Sequence, residues 1–296
     1  MKNRGQRRIG ILMADRSNPF WTDMKRHYDR LSEEMDLETE YFWPVPPHAP
    51  SVQSAMLLKM IGSGFDAIIV NPMNNNNLVP GICRAASKKI PILDVGAKTD
   101  QRLLAKTSSY YLPVSTVDFF LQGRLGAEYI IHRLQSGKSS NVVILEGRPD
   151  SAQSIGRSGG ASEIFKTNPN IRLLLKEQAG FSRSKANMVT KDIYLKNKTI
   201  DAFFCVNDLM ALGVADAVGD LKGTKRPIIV GVDLIDEARE AIKEGRISAS
   251  VAFSRAEVAA SVLKKAVDCI EAVKGPSLSP VSSHLVCFEN IRDFDD

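Results

Sequence analysis

Two short stretches of the chain decide its fold: FDAIIVNP at residues 65–72 and IDAFFCVND at residues 200–208. Each contains an apolar run without polar interruption, and each run ends at an asparagine. A continuous apolar run of this length is typical of a parallel strand that is covered on both faces. The second stretch leads into residues 209–219, where apolar residues recur at helical spacing. Both stretches therefore predict strands of a buried parallel sheet.

Further strands and helices are expected to alternate along the chain. Apolar runs of strand length occur at residues 9–14, 90–95, 141–145, 228–232 and 248–253. Segments with helical period lie between them, at residues 20–35, 54–62, 119–134, 236–244 and 256–273. Alternating strands and helices predict βαβ units with right-handed crossovers, and hence a doubly wound α/β fold with a parallel sheet.

The pattern occurs twice, which predicts two similar lobes that join near residues 116–118. The first copy comprises residues 8–14, 65–72 and 89–96, and the second comprises residues 141–147, 200–208 and 226–233. In each copy a strand ends in asparagine, a helix follows, and a strand led by proline comes next.

The chain continues beyond the second copy. The simplest account is that it crosses back to the first lobe near residues 251–254 and returns near residues 282–284, through a linker at residues 275–280. Three crossings would form a hinge. The predicted lobes are residues 1–117 with 253–282, and residues 118–252 with 283–296.

The composition is that of an ordinary globular protein. The 296 residues are 44% hydrophobic and 25% charged, which argues against a disordered chain and leaves room for two domains. The net charge is +5, and Lys2, Arg4, Arg7 and Arg8 contribute to it. We find no other basic block, so the charge does not indicate a nucleic-acid binder. No run reaches the roughly 18 apolar residues that a membrane helix needs.

The amino terminus leaves the compartment open. Residues 1–8 look like the positive start of a secretory signal, but the apolar run at residues 9–14 is too short for its hydrophobic region, and Asp15 interrupts it. Either the protein stays inside the cell, or a signal sequence was removed and replaced by a starting methionine.

The sequence carries no signature of a metal, a cofactor or a hydrolase. Its four cysteines lie far apart, and its four histidines lack ligand spacing. No glycine-rich dinucleotide motif follows the first strand. Residues 156–160 match G-x-S-x-G, but a nucleophile elbow needs its serine at a strand end, and the predicted strand ends well before. We therefore expect a binding protein that uses no cofactor and no metal.

Polar and aromatic side chains gather where the predicted strands end, and ligands bind at that edge of open α/β sheets. The positions are Asp15, Asn18, Phe20, Trp21, Asn71, Gly96, Lys98, Arg157, Phe181, Asn207, Asp208, Asp233 and Phe253. Amides, carboxylates and arginine form paired hydrogen bonds with hydroxyl groups, and aromatic rings stack on the C–H face of a sugar. The set predicts a polyol site, although Asn18 and Asn207 taken singly could simply begin helices.

Several motifs, in this order and spacing, resemble one family. They are DRSNPFW at 15–21, IIVNP at 68–72, KIPILDVG at 89–96, GRSGG at 156–160, FSRSKA at 181–186, CVNDLMALGVADA at 205–217 and VGVD at 230–233. They resemble the ribose/galactose-type periplasmic solute-binding proteins of sugar ABC transporters, the type I periplasmic-binding-protein family. The resemblance implies a monomeric, two-lobed periplasmic receptor that closes on one sugar, leaves it unchanged and presents it to a membrane permease.

The resemblance also implies roles for individual positions. The ligand-binding residues it implies are Asn18, Phe20, Trp21, Asn71, Arg157, Phe181, Asn207 and Asp233. The Asp-Arg pair of the ribose binders falls on Gly96 and Ala97, which leaves Lys98 or Asp15 as substitutes, and their glutamine at the second crossing falls on Phe253. We therefore expect a sugar other than ribose, or a polyol.

Other functions remain open at this point. Lac-repressor-like regulators share the motif at residues 205–217, but they need a helix-turn-helix of about 50–60 residues before the first strand. Only eight residues precede Ile9, so this reading requires a truncated chain. A receptor coupled to a sensor kinase is a further alternative. An enzyme would need a general base, and Asp15 has no paired acid or metal in the sequence.

Overall fold

The computed structural model describes residues 6–47, 49–104, 110–114, 116–134, 137–196, 199–221, 225–272 and 280–294. Lys2 and Arg4 of the basic terminus lie outside the described residues, as does nearly all of the linker expected at residues 275–280. None of the described helices combines the length and apolar character that a membrane crossing requires.

Strands and helices alternate through most of the chain, as the sequence predicts. The first elements are β1 (Arg7–Leu12), α1 (Pro19–Glu34), β2 (Leu37–Phe42), α2 (Pro50–Met60), β3 (Ala67–Val70), α3 (Val79–Ser87), β4 (Ile92–Val95), a 3-10 helix (Gln101–Leu104) and β5 (Tyr111–Val114). They are followed by α4 (Phe119–Arg133), β6 (Ser140–Glu146), α5 (Ala152–Thr167), β7 (Ile171–Gln178), α6 (Arg183–Lys196), β8 (Ala202–Cys205), α7 (Asp208–Asp220), β9 (Ile228–Val232), α8 (Asp236–Lys243), β10 (Ala249–Phe253), α9 (Arg255–Ile270) and β11 (Ser283–Cys287).

The chain divides into two compact units. The first unit consists of Met1–Val117 with Ser254–Val281, and the second of Asp118–Phe253 with Ser282–Asp296. The chain therefore passes from one unit to the other three times. Each unit contains its own sheet with helices packed against it, so the predicted α/β class with two doubly wound lobes is confirmed.

The first unit is built on a parallel sheet with the strand order β2-β1-β3-β4-β5. Its central strand β3 is fully buried, as its uninterrupted apolar run predicts. The pairing register aligns Leu12 with Val70, so β1 and β3 end at the same level. The segments that follow these two strands therefore begin side by side. Helix α9 returns to this unit and packs against α1 and β3.

The second unit has the strand order β11-β10-β9-β8-β6-β7. All its neighbours are parallel except β10 and β11, which pair antiparallel. Leu145 pairs with Cys205, and Phe204 pairs with Val230. Strands β6, β8 and β9 thus end at nearly the same level, and the residues that follow them share one edge of the sheet.

Strands β2, β5, β7 and β11 have no counterpart among the predicted apolar runs. All four lie at an edge of their sheet. An edge strand is covered less completely than a central one, so its sequence has no continuous apolar run. Strand β7 shows this most clearly, since none of its eight residues is fully buried.

Candidate functional site

The loop from β1 to α1 and the first turn of α1 hold four of the predicted residues of the first unit. Asn18 is the N-cap of α1, and its Oδ1 accepts a hydrogen bond from the Phe20 N–H over 3.1 Å. Asp15 braces the same turn, because its Oδ1 accepts from the N–H and the hydroxyl of Ser17 over 2.9 and 2.7 Å. The helix-capping interpretation of Asn18 is therefore correct. Capping occupies its oxygen, and none of the described residues accepts a hydrogen bond from its NH2 group.

Phe20 and Trp21 form an aromatic pair at the start of α1. Their ring centroids are 4.9 Å apart with an interplanar angle of 82°, an edge-to-face contact. The Lys98 ammonium lies 5.1 Å from the centre of the Trp21 ring, a distance typical of a cation–π contact. The structure therefore places the predicted Lys98 beside Trp21 within the first unit.

A tight turn after β4 positions Lys98. Gly96 and Ala97 have positive φ angles of 85° and 50°, so the chain folds back toward Asp94. The Asp94 carboxylate is fully buried and accepts the Lys98 N–H over 3.1 Å and the Tyr111 hydroxyl over 2.8 Å. This turn occupies the place where the ribose-type pattern has its Asp-Arg pair, and it leaves Lys98 only 5% exposed.

Asn71 follows β3 and is fully buried. Its Nδ2 donates to the Leu12 carbonyl over 3.3 Å, while no described residue donates to its Oδ1. Gln53 of α2, which the sequence reasoning missed, donates to the carbonyls of Met13 and Asn71 over 3.1 and 2.8 Å. Gln53 therefore ties together the ends of β1 and β3.

Arg157 is the centre of the second-unit cluster. Its Nε donates to Gln122 Oε1 over 2.8 Å, its Nη1 to the Val206 carbonyl over 2.8 Å, and its Nη2 to Asp233 Oδ1 over 3.0 Å. The side chains of Arg157 and Asp233 are 5% and 8% exposed. The structure thus brings together two predicted residues, Arg157 and Asp233, and adds Gln122 from α4, which the sequence reasoning missed.

Close packing of α4 on α5 allows Gln122 to reach Arg157. A Cβ on Gly123 would lie 1.9 Å from the Arg157 carbonyl oxygen, and one on Gly160 would lie 2.0 Å from the carbonyl oxygen of Phe120. Only glycine permits this approach. The glycine-rich motif at residues 156–160 therefore serves helix packing, and Ser158 lies inside α5 rather than on a nucleophile elbow.

Asn207 and Asp233 lie at the ends of β8 and β9. Asn207 caps α7, and its Oδ1 accepts from the Met210 N–H over 3.1 Å, so its helix-capping interpretation is also correct. Asp233 has a φ of 112° and the next residue, Leu234, has a φ of 50°. Two consecutive side-chain-bearing residues in the left-handed region are uncommon, and such strain is often found at functional sites.

Phe181 and Phe253 are the remaining predicted residues of the second unit. Phe181 has a φ of 64°, and its ring covers Gly147, where a Cβ would lie 2.2 Å from the Phe181 ring. The Arg148 guanidinium lies 5.1 Å from the centre of the same ring. Arg148 was not predicted, because it follows β6 in an ordinary polar loop. Phe253 is the last residue of β10 and pairs with Ser283.

One acidic group of the second unit has a strongly shifted pKa. Burial and the neighbouring Asp233 carboxylate together raise the pKa of Asp208 to about 8, against the lowering effects of the hydrogen bonds from Ser250 and the Ile235 N–H and of the Arg157 charge. Burial also raises the pKa of the Cys205 thiol well above its ordinary value. Among the described residues, no group of three or more metal-ligating side chains is found.

The comparison with known proteins decides the family. The periplasmic binding protein domain matches residues 9–274. The chain belongs to this family. The resemblance found from the sequence motifs is therefore confirmed.

Individual relatives within the periplasmic binding protein family agree with this assignment. The D-allose-binding periplasmic protein of Escherichia coli strain K12 is 32% identical over 93% of this chain and 90% of its own length. The xylitol-binding protein of Mycolicibacterium smegmatis is 30% identical over 82% of this chain and 66% of its own length. These relatives are named as binding proteins, in agreement with the expectation of binding without catalysis.

A solved structure of the family extends the match to three dimensions. An ABC transporter periplasmic solute binding protein from Actinobacillus succinogenes with bound D-allose has a TM-score of 0.88 and 27% identity to this chain. The match covers 98% of this chain and 100% of that one.

Proposed function

We propose that this periplasmic binding protein binds a sugar or polyol with residues of both units, releases it unchanged and delivers it to an ABC permease. The proposed ligand-binding residues of the first unit are Asp15, Asn18, Phe20, Trp21, Asn71 and Lys98. Those of the second unit are Arg157, Phe181, Asn207, Asp233 and Phe253. We propose periplasmic action, a monomeric state, and two lobes that move about the three chain crossings.

The Arg157 cluster carries the proposal. The guanidinium is held in one orientation by three acceptors at 2.8–3.0 Å, one of which is the buried Asp233 carboxylate. A group that is already oriented loses little conformational freedom when a ligand arrives, so its hydrogen bonds contribute fully to affinity. Planar donors and a carboxylate together suit adjacent hydroxyl groups, which both donate and accept.

The aromatic pair of the first unit supports the same ligand class. Phe20 and Trp21 are each 9% exposed and are fixed at right angles by their mutual contact. A rigid ring stacks on the apolar C–H face of a sugar with little loss of side-chain entropy. The polar residues and the aromatic pair together suit a cyclic polyol better than a purely ionic or purely apolar ligand.

D-allose is the first ligand to test, because it is the ligand in the names of the E. coli relative and the A. succinogenes structure. D-ribose is expected to bind more weakly, since the turn at Gly96 and Ala97 replaces the polar pair of the ribose-type pattern. Binding would act through the ligand's greater affinity for one arrangement of the two units, which shifts their equilibrium without any chemical step.

The proposal is tested by calorimetry and thermal shift with D-allose, D-ribose, xylitol and myo-inositol. At least one of these compounds should raise the melting temperature, with D-allose above D-ribose. Trp21→Ala in the first unit and Arg157→Ala in the second should each weaken binding at least tenfold. Arg172→Ala, on the exposed face of β7, is the matched control and should bind as the wild type does. Failure of all four compounds to bind at millimolar concentration would contradict the proposal, as would consumption of the bound sugar.

A further inference from the structure

Asp208 occupies an unusual place beside the proposed ligand-binding residues. It directly follows Asn207, begins α7 and is fully buried. Its Oδ2 accepts a hydrogen bond from the Ile235 N–H over 2.9 Å. Its Oδ1 accepts from the Ser250 hydroxyl over 2.7 Å. The carboxylate therefore joins the start of α7 to the segment after β9 and to β10.

Ser250 completes a connected network around the turn at residues 233–235. Its Oγ accepts the Leu234 N–H over 3.1 Å and donates its own hydrogen to Asp208. The two backbone N–H groups that follow Asp233 are thus both held, one by Ser250 and one by Asp208. The Asp233 N–H itself donates to the Val251 carbonyl over 2.9 Å.

The turn that this network holds is strained. Asp233 and Leu234 adopt φ angles of 112° and 50°, and side chains with a Cβ rarely adopt this conformation. A strained backbone persists only where its surroundings hold it in place. The same network would therefore determine the orientation of the Asp233 carboxylate. Asp233 Oδ1 accepts a hydrogen bond from Arg157 Nη2 over 3.0 Å.

Gly231 shows that β9 is built around the Asp208 carboxylate. A Cβ at position 231 would lie 2.2 Å from Asp208 Oδ1, so only glycine lets the strand pass this close. The close approach brings the carboxylate within reach of the Ile235 N–H and of the Ser250 hydroxyl, which in turn holds the Leu234 N–H.

We propose that Asp208 and Ser250 are positioning residues for ligand binding: they hold the strained turn at residues 233–235 so that the Asp233 carboxylate is oriented toward Arg157 and the ligand. The inference rests on the proposed function, since it assigns a support to one of its binding residues. Neither Asp208 nor Ser250 is assigned a contact with the ligand.

The charges around Asp208 predict that ligand affinity depends on pH, which a purely structural role of Asp208 would not produce. The groups that face it are Asp233 after β9, Arg157 of α5 and Cys205 of β8, while its partner on β10 is the neutral Ser250. Burial raises the pKa of the Cys205 thiol well above its ordinary value, so this thiol stays protonated over the pH range of the experiment. A ligand that covers Asp233 reduces the screening of its charge and favours the protonated form of Asp208. Affinity should therefore fall as Asp208 ionises near pH 8.

The experiment compares wild type, Asp208→Asn, Ser250→Ala and the exposed control Asp192→Asn. Calorimetry with D-allose is run from pH 6 to pH 9. Amide hydrogen exchange is measured on peptides that span residues 228–240 and on a peptide that contains Met210. We expect Asp208→Asn to bind at least tenfold more weakly at pH 7, and Ser250→Ala about threefold to tenfold more weakly. The fall in affinity between pH 7 and pH 9 should be present in wild type and Asp192→Asn and absent in Asp208→Asn. Exchange should be faster over residues 233–236 in Asp208→Asn and Ser250→Ala, with no change over Met210.

The outcomes separate the inference from the proposed function. Wild-type affinity in both Asp208→Asn and Ser250→Ala overturns the inference, whatever the exchange shows, and leaves the proposed function standing. If Asp208→Asn does not fold, Ser250→Ala decides by the same measurements. If the wild type binds neither D-allose nor D-ribose, xylitol or myo-inositol, the proposed function fails. In that case, amide hydrogen exchange over residues 233–236 alone decides whether Asp208 and Ser250 hold the turn. Unchanged exchange in both variants then overturns this positioning role as well.

Discussion

Replacement of Arg157 by alanine removes the donor of three hydrogen bonds in the second unit. The acceptors are Gln122 Oε1, the Val206 carbonyl and Asp233 Oδ1, at 2.8, 2.8 and 3.0 Å. Because the Asp233 side chain is only 8% exposed, the variant removes the Arg157 guanidinium from a buried carboxylate. Removal of one member of a buried ion pair typically costs about 3–5 kcal/mol of stability.

This cost should be visible in thermal and chemical unfolding. A domain of about 150–250 residues loses roughly 2–4 °C of melting temperature per kcal/mol, so the second unit of Arg157→Ala should melt about 6–20 °C below that of wild type. Binding of D-allose should also weaken at least tenfold. A hydrogen bond to a charged group contributes about 1.5–3 kcal/mol, and 1.4 kcal/mol corresponds to a factor of ten in affinity.

A double variant separates the structural role of the pair from its binding role. Arg157→Met with Asp233→Asn removes both charges, and asparagine tolerates the positive φ of position 233 better than most residues. Replacing a buried ion pair by well-packed apolar residues of similar volume is often neutral for stability, and the double variant likewise leaves neither charge of the pair buried alone. We expect the double variant to be more stable than Arg157→Ala and still unable to bind D-allose. Urea unfolding and calorimetry provide the measurements, with Arg172→Ala as control. Arg157→Ala with wild-type stability and wild-type affinity would refute the reasoning.

Three further predictions concern the groups that support the site. Gly231→Ala should destabilise the protein by about 1–3 kcal/mol in urea unfolding, because its Cβ would lie 2.2 Å from Asp208 Oδ1. The free energy of unfolding of wild type should fall relative to that of Asp208→Asn as pH rises from about 4 to about 8, by up to roughly 5 kcal/mol. The Asp208 carboxyl has a pKa of 3.8 in the unfolded state and about 8 in the folded state, so the folded state binds more protons in this range and loses stability as they dissociate. Equal pH slopes of the unfolding free energy in the two proteins would contradict this. Gln53→Leu should lower the free energy of unfolding by about 2–5 kcal/mol, because the buried carbonyls of Met13 and Asn71 lose the hydrogen bonds that Gln53 donates. An unchanged midpoint of urea unfolding would exclude this role of Gln53.

The central strands could be predicted from the sequence because they are buried on both faces. Strands β3 and β8 consist entirely of buried residues, and their apolar runs are uninterrupted. The edge strand β7 is half exposed, so its side chains follow no continuous apolar pattern. Helix α6 was missed for a related reason, since only Ala186, Thr190 and Ile193 of its fourteen residues are buried.

The candidate site was predicted in part, through the rule that ligands bind at the carboxyl ends of parallel strands. That rule selected Arg157 and Asp233, which the structure joins by a hydrogen bond. It could not select Gln122, which lies within a helix and reaches Arg157 only because Gly123 and Gly160 let α4 and α5 pack closely. Nor could it assign a role to Asp208, whose partners at positions 235 and 250 are 27 and 42 residues away in the chain.

The order of apolar runs, asparagines and glycines by itself determined the α/β class, the repetition of the pattern and the family, because these depend on local periodicity and on motifs that are contiguous in the chain. Only the tertiary structure decided which polar groups meet. Hydrogen bonds act over about 3 Å, and the partners of Arg157 and Asp208 come from separate helices and strands whose relative placement depends on packing. The sequence therefore specifies where a site can form, and packing specifies how its groups are held.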